Sequence, residues 1–255
     1  MLRENLIVES LLGKTTQKRK SKIPAKLDFL QSATGLILAL FILFHLLFEA
    51  SILLGKDVMY AITKIFEGDF FIEGGSSLFV STLAFIIFVI FILHALLAMR
   101  KFPNSYRQYL RLSTHAKLMN HNDTNLWIIQ IVTGFMMFFL GSVHLYIVFT
   151  QPQNIGPFAS SDRVYSDMFY PLYFMLLISV ILHAGAGVYR LIMKWGWFDG
   201  KNPKENRIKI RKIVKTITII YLLIGLFSLA TYIKIGYEHQ KEYGKKYTPK
   251  IEEKR

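Results

Sequence analysis

Four histidines lie inside four separate apolar stretches of this 255-residue chain: His45, His94, His144 and His183. A membrane interior disfavours a polar imidazole unless the ring has a partner, so four such rings call for a shared explanation. Two inward-facing imidazoles from different helices can fill both axial positions of a haem iron. The four histidines therefore predict two bis-histidine haems. Because neither iron would be open to oxygen, the predicted task is electron transfer.

Other interpretations exist for each residue taken singly. One membrane histidine can be a structural hydrogen-bonding group or a proton relay. The glycines near His144 and His183 allow a flat macrocycle to approach the backbone, but they also suit plain helix packing. The remaining histidines lie in polar segments and are predicted to be surface residues: His115, His121 and His239.

Composition indicates a membrane protein, since 53% of the residues are hydrophobic and they fall in long uninterrupted runs. The chain has no cysteine, which excludes disulfides, protein-bound iron–sulfur clusters and covalently attached haem. Any haem is therefore predicted to be of the b type. The net charge of +14 lies in the loops between apolar runs, which favours membrane topology and anionic lipid over nucleic acid.

Five spans of about 20 residues are predicted, at about 32–54, 78–99, 126–150, 168–193 and 214–233. The predicted fold is an all-α membrane domain covering residues 1–255, in which four helices form a bundle around two stacked haems. The amphipathic segment after the first span predicts a short surface helix. No internal repeat is evident.

The distribution of Lys and Arg predicts the orientation. Segments 1–31, 100–125 and 194–212 carry seven, five and seven of these residues, whereas 55–77 and 151–167 carry two and one. The basic set, including the N-terminal segment, is therefore predicted to face the cytoplasm. Five spans then place the tail 234–255 outside, although it carries six Lys and Arg from residue 237 onward.

Helix rise, about 1.5 Å per residue, converts position into depth from the cytoplasmic edge of each span. His94 lies ~9 Å and His183 ~16 Å from that edge, whereas His45 lies ~20 Å and His144 ~28 Å from it. His94 is thus predicted to pair with His183 near the cytoplasm, and His45 with His144 near the outside. The haem centres would differ in depth by roughly 10–15 Å, which suits electron tunnelling.

Long strings of this sequence resemble the dihaem cytochrome b subunit of the fumarate reductases of epsilonproteobacteria, in the succinate:quinone oxidoreductase superfamily. The matching strings are PAKLDFLQSATGL, ILLGKDVM, HALLAMRKFPNSYRQYL, TGFMMFFLGSVHLYIVFTQPQNIGP and YRLIMKWGWFDG. The resemblance implies a five-helix anchor in the bacterial cytoplasmic membrane, with the four histidines as axial ligands of two haem b groups.

The resemblance also implies partners and a reaction. An iron–sulfur subunit would dock on the cytoplasmic face and a flavoprotein would carry FAD and the fumarate site, so this chain would be the menaquinol-oxidising subunit in anaerobic respiration. Two copies of the three-subunit complex would assemble. From the residues alone, the basic connector 100–125 is either a docking surface for a soluble partner or a lipid-facing loop.

Several further residues match functional positions of the family. Glu67 matches the glutamate at the menaquinol oxidation site, where a carboxylate can accept a proton; the alternative is a solvated loop acid. Four residues match contacts to haem propionates: Gln31, Ser32, Trp127 and Lys194. Interfacial anchoring accounts equally well for the tryptophan and the lysine.

One departure concerns protons. Family members carry a glutamate two residues before the fourth histidine, where this chain has Ile181. Glu49 stands one helical turn after His45, at a position where the family has an apolar residue. We therefore hypothesise that Glu49 supplies a membrane protonation site; the alternative is an acid facing an outer aqueous pocket or the quinol site.

Three other functions are compatible with the sequence. The same kind of anchor could serve a complex that runs as a succinate:quinone reductase, because direction depends mainly on the quinone. A cytochrome b anchor of a hydrogenase or formate dehydrogenase is a second rival, which the long matching strings disfavour. A transporter with histidine proton relays is the third, and such proteins usually show repeats or broken helices.

Overall fold

The protein is described from a computed structural model, which covers residues 22–102, 105–119 and 122–249. Its α-helices are α1 (Ile23–Glu49), α2 (Lys56–Phe66), α3 (Ser77–Met99), α4 (Tyr106–Met119), α5 (Asn122–Thr150), α6 (Pro157–Tyr165), α7 (Tyr170–Trp195) and α8 (Pro203–His239). Short 3₁₀ turns follow α1 at Ala50–Leu54 and α8 at Gln240–Glu242. The first 21 residues, predicted to be cytoplasmic, lie outside the described part.

Five helices are long and apolar enough to cross a membrane: α1, α3, α5, α7 and α8. Their most apolar windows have mean hydropathies of 1.9 to 2.7, yet at most 33% of any window is buried inside the protein. Such apolar, outward-facing surface needs lipid around it. The predicted all-α, five-span membrane fold is therefore confirmed, as is the short surface helix, which is α2.

Local sequence explains where these helices begin and end. Proline occupies the first turn of α1, α6, α7 and α8, where its missing N–H costs no hydrogen bond. Ser76 caps α3 by accepting a hydrogen bond from the Leu78 N–H at 3.4 Å. Gly196 ends α7 in the left-handed conformation, φ 65°, which glycine adopts without steric cost.

Four of the spans form a ring in the order α1, α3, α5, α7, with each helix packed against the next and α7 closing against α1. The fifth, α8, packs outside this ring, along both α6 and α7. Close approach there depends on Gly225, whose missing side chain leaves room for Leu177. Ile181, only 4% exposed, belongs to the same apolar interface.

The fifth helix is longer than the predicted span 214–233. It begins at Pro203 and ends at His239, because a basic amphipathic stretch before the apolar run is also helical. Hydropathy detects only the part that lies in hydrocarbon, so the helical extensions at both ends were missed.

The described part of the C-terminal tail folds onto one face of the bundle. Tyr247 donates a 2.7 Å hydrogen bond to Asp57 in α2, and Tyr243 donates one of 2.9 Å to Asp167 before α7. The tail thus shares a face with the two loops that are poor in Lys and Arg. We call this the outer face and the opposite one the inner face.

His239 is buried at the outer face, with 6% of its surface exposed. Its Nδ1 lies 2.8 Å from Asp162 Oδ1, and the Gly244 N–H donates to the other carboxylate oxygen at 3.0 Å. The Phe158 ring stacks on the imidazole with centroids 4.0 Å apart. The predicted surface position of His239 is therefore wrong, because Asp162 provides a buried partner. His115 and His121 fall outside the side chains that the structure describes.

Candidate functional site

The four membrane histidines come together in two pairs. His94 on α3 faces His183 on α7 with ring centroids 6.5 Å apart, and we call these two residues the inner pair. His45 on α1 faces His144 on α5 with centroids 6.1 Å apart, and these form the outer pair. Each pair joins helices that are diagonally opposite in the ring, so both pairs lie inside the bundle.

These separations fit a metal between the rings. With metal–nitrogen bonds of about 2 Å and about 1 Å from each nitrogen to its centroid, one shared iron sets the centroids about 6 Å apart. The ring planes cross at 86° in the inner pair and 46° in the outer pair. Axial ligands on opposite sides of an iron can rotate independently about their bonds, so both angles suit two axial imidazoles.

Glycines bring neighbouring helices against the inner pair. A Cβ placed on Gly35 of α1 would lie 2.9 Å from Cε1 of His94. A Cβ on Gly134 of α5 would lie equally close, 2.9 Å, to Cε1 of His183. Real Cβ atoms do not approach so near, so any larger residue would displace these rings.

The outward nitrogens of the inner pair have hydrogen-bond partners. His94 Nδ1 lies 3.0 Å from the Thr34 hydroxyl. His183 Nδ1 lies 2.9 Å from the Gln130 carbonyl oxygen. The Nε2 atoms are thereby left for a ligand, which is the arrangement that metal-binding histidines commonly show.

Polar groups gather at the inner ends of α1, α3 and α7. Lys194 donates to the Ser32 hydroxyl at 2.9 Å and lies 3.9 Å from the Asp28 carboxylate. Arg100 and Lys101 also bind Asp28, at 2.5 and 2.9 Å. The structure thus brings Ser32 and Lys194 together within a cationic cluster.

Gln31 and Trp127 are the other two residues predicted to contact haem propionates, and the structure gives fewer contacts for them. Gln31 directly precedes Ser32, and its buried Oε1 has no hydrogen-bond partner among the described residues. Because an amide can flip, this buried end can present either a donor or an acceptor. Trp127 is half-buried near the start of α5. With its amide turned to present the N–H at the buried end, Gln31 would suit a carboxylate-bearing group such as a haem.

Glu67 lies just after α2 and is held by its surroundings, with 14% of its side chain exposed. Lys64 donates to Glu67 Oε2 at 2.7 Å and to the Gly74 carbonyl at 2.9 Å. The hydrogen bond to Glu67 raises the pKa of Lys64. The lysine therefore stays cationic through neutral pH, and on the alkaline side the ion pair is lost as the pH rises through that raised pKa.

Glu49 is the last residue of α1 and is half-buried on the outer side of His45. Tyr232 of α8, only 4% exposed, donates to Glu49 Oε2 at 3.0 Å. Its hydroxyl also lies 3.3 Å from the Glu49 carbonyl. The acid thus has a buried phenol as its partner, whereas Ile181 lies in an apolar interface.

Sequence reasoning missed two residues beside the outer pair. The Tyr173 ring meets His144 edge-on with centroids 5.6 Å apart. Arg163, 8% exposed, donates to the Asn154 carbonyl at 2.6 Å and places a buried cation at this end of the bundle. The only available signal was that Arg163 is the single Lys or Arg in segment 151–167.

Sequence reasoning also missed a short pattern that occurs twice. The pattern Gln-x-x-Thr-Gly occurs at 31–35 and again at 130–134, and a histidine follows ten residues after each glycine. In the fold, each copy contacts a histidine of the inner pair. α1 and α5 therefore make corresponding contacts with the inner pair.

Comparisons with known proteins agree with this architecture. The family described as succinate dehydrogenase/fumarate reductase transmembrane subunit matches residues 104–224. The chain is 53% identical to the fumarate reductase cytochrome b subunit of Wolinella succinogenes, across 91% of each chain. It is 45% identical to the protein of the same name from Helicobacter pylori, across 94% of this chain and 92% of the relative. Identity of this extent over nearly the whole length places the chain in the family of fumarate reductase cytochrome b subunits, the multi-pass membrane subunits of the succinate dehydrogenase/fumarate reductase group.

Proposed function

We propose that this chain is the menaquinol-oxidising membrane subunit of a fumarate reductase and passes electrons across the membrane. The observation that carries the proposal is the pair of facing imidazoles found twice inside one bundle. Two b haems, when bound, would supply one-electron carriers at two depths. The names of the relatives, which are cytochrome b subunits, support this assignment.

The histidines hold and orient the cofactors in this proposal. His94 and His183 would hold the inner haem, and His45 and His144 would hold the outer haem. Their centroid separations of 6.5 and 6.1 Å support both assignments. With two protein ligands on each iron, the chain excludes oxygen from the metals and limits them to electron transfer.

The inner polar cluster would bind propionates. Lys194 and Ser32 supply a cation and a hydroxyl that already meet, and the orphaned amide of Gln31 supplies a further donor. The Trp127 indole N–H is the fourth donor. Asp28 neutralises part of the cationic cluster and keeps Lys194 over this site until a propionate shares it.

Glu67 would accept a proton from the quinol. It lies beside α2 at the outer face, where an apolar quinol can approach from lipid, and Lys64 holds the carboxylate in place. Removing a proton as the electron departs makes quinol oxidation easier, which is the work of a general base. Glu49 is proposed as a second proton site, with Tyr232 as its hydrogen-bond partner.

The partners and location follow from the family. An iron–sulfur subunit would dock at the inner face and a flavoprotein with FAD would reduce fumarate, in an assembly of two heterotrimers at the bacterial cytoplasmic membrane. The basic connector around α4 (Tyr106–Met119) is on the inner side and is exposed along its first turns, which supports a docking role. The inner face would be cytoplasmic and the C-terminal tail periplasmic.

The test uses the purified three-subunit complex. We expect two b haems per copy of this chain and fumarate reduction driven by a menaquinol analogue, with a reduced b-type absorption band. A preparation with no such band would exclude the haem proposal. Faster quinone reduction by succinate than fumarate reduction by menaquinol would assign the opposite direction.

A further inference from the structure

The repeated pattern Gln-x-x-Thr-Gly places the same chemistry against both members of the inner pair. Thr34 of the first copy contacts His94, and the second copy contacts His183 through Gln130 and Thr133. Each copy lies on a helix that supplies no ligand to this pair. The two copies of the pattern therefore lie on α1 and α5, the helices that stand between His94 and His183 in the ring.

At His94 the direction of the hydrogen bond can be worked out. The Thr34 hydroxyl lies 2.9 Å from the Leu30 carbonyl and 3.1 Å from that of Gln31, and it donates its one hydrogen there. It therefore accepts the bond of 3.0 Å to the histidine, and the imidazole donates from Nδ1. The neutral ring then carries its hydrogen on Nδ1 and a lone pair on Nε2.

At His183 the same tautomer arises with a backbone carbonyl as the nearest acceptor, whereas at His94 the Gln31 carbonyl only supplements Thr34. The Gln130 carbonyl oxygen, 2.9 Å from Nδ1, can only accept, so the ring again donates from Nδ1. The Thr133 hydroxyl is farther away, at 3.4 Å, and donates to the Ile129 carbonyl at 2.6 Å. Here the backbone carbonyl is the main partner and the threonine is secondary.

The outer pair lacks this arrangement on at least one side. His144 Nδ1 is buried and has no hydrogen-bond partner within the described residues. The His45 ring instead stacks on Phe41, with centroids 5.2 Å apart and planes 9° from parallel. The hydrogen-bonded surroundings of the two pairs therefore differ.

We propose that Thr34 and the Gln130 carbonyl are positioning groups that fix the Nδ1–H tautomer of the inner pair and lower the reduction potential of its haem. Donation from Nδ1 makes the ligating nitrogen more basic, and a more basic ligand favours ferric over ferrous iron. The inference rests on the proposed function, since it requires the inner pair to ligate haem.

The test is a redox titration of both haems in the full complex carrying Thr34→Val, followed by absorbance. Valine keeps the shape of threonine but removes the acceptor, so one of the two haem transitions should move to higher potential. Loss of one ordinary hydrogen bond changes an equilibrium about fivefold, which is about 40 mV at 59 mV per tenfold for one electron. The other transition serves as an internal reference and should stay in place.

Two matched variants test whether the effect comes from the Thr34 hydroxyl. Thr34→Ser restores the hydroxyl and should return the shifted transition to its original potential. Thr133→Val should shift either transition much less, because the Gln130 carbonyl remains. The low-spin signal of one ferric haem in electron paramagnetic resonance should change in Thr34→Val and recover in Thr34→Ser.

The outcomes separate this inference from the proposed function. If Thr34→Val binds both haems and neither transition moves, or if both move equally, the inference is wrong and the proposed function stands. If Thr34→Val and Thr34→Ser lose the same haem, the hydroxyl is not what matters and the inference is also wrong. If the unmodified complex holds no b haem, the proposed function falls, and the inference with it.

Discussion

Gly35 lies so close to His94 that a Cβ on the glycine would come within 2.9 Å of the imidazole Cε1. The ring is therefore wedged against the backbone of α1 with no room to shift sideways. The same relationship recurs at Gly134 and His183. A close backbone contact of this kind fixes a ring in place without any polar group, and it makes glycine necessary for steric reasons.

We expect the Gly35→Ala variant to lose the inner haem. Alanine is favoured over glycine in a helix by about 1 kcal/mol, so the helix itself is not weakened and the loss reflects displacement of His94. We expect about one haem per chain, measured by pyridine haemochromogen absorbance. Gly141→Ala is the control, because the atom nearest to its Cβ would be a ring atom of Phe91 at 3.3 Å and no histidine atom would lie closer than 3.9 Å. Two haems with unaltered spectra in Gly35→Ala would disprove the steric account.

Glu67→Gln should stop quinol oxidation while leaving the haems in place. Glutamine keeps the shape and a hydrogen bond to Lys64 but cannot take up a proton, and removing a general base costs about 100-fold or more in rate. Quinol-driven fumarate reduction is the measurement, and a dye that reduces the partner subunits directly reports their integrity. Glu73→Gln, in the same loop and exposed, should behave normally. Full quinol activity in Glu67→Gln would remove Glu67 from the mechanism.

Glu49→Gln tests the second proton site. If Glu49 handles protons, its amide should slow quinol-dependent turnover and change proton release, whereas Tyr232→Phe, which removes only the phenol donor, should have a smaller effect. Glu238→Gln, exposed on the same helix as Tyr232, is the control. Unchanged turnover together with unchanged proton release in Glu49→Gln would overturn this role.

His239→Ala should loosen the C-terminal tail. The variant leaves the Asp162 carboxylate, 4% exposed, without its imidazole partner, at a cost of about 2 kcal/mol for a hydrogen bond to a charged group. Hydrogen exchange in residues 240–249 should rise, and His239→Asn, whose amide can still donate, should restore protection. Equal protection in all three proteins would mean that the pair does not hold the tail.

Much of this arrangement could be predicted from sequence because a few quantities decide it. The rise of a helix is fixed, so counting residues placed His94 and His183 nearer the cytoplasmic edge than His45 and His144. Hydropathy located the spans, but it could not show that α8 continues to His239 beyond hydrocarbon. Nor could hydropathy show that Asp162 is a buried partner of His239.

The surroundings of the histidines were harder to foresee. Thr34 and Gly35 are ordinary helix residues in sequence, and their contacts with His94 depend on which helix packs against α1. Arg163 comes from a loop whose path no periodic pattern describes. Ligands can thus be found one helix at a time, whereas the groups that position them require the packing of the whole bundle.

The most direct test of the account is the haem content and redox titration of four single variants: His45→Ala, His94→Ala, His144→Ala and His183→Ala. We predict that His94→Ala and His183→Ala lose the same haem transition, and that His45→Ala and His144→Ala lose the other. Combining both changes of one pair should then remove nothing more. Loss of the same transition in His94→Ala and His45→Ala would contradict the pairing, and two intact haems in any of the four variants would contradict bis-histidine ligation.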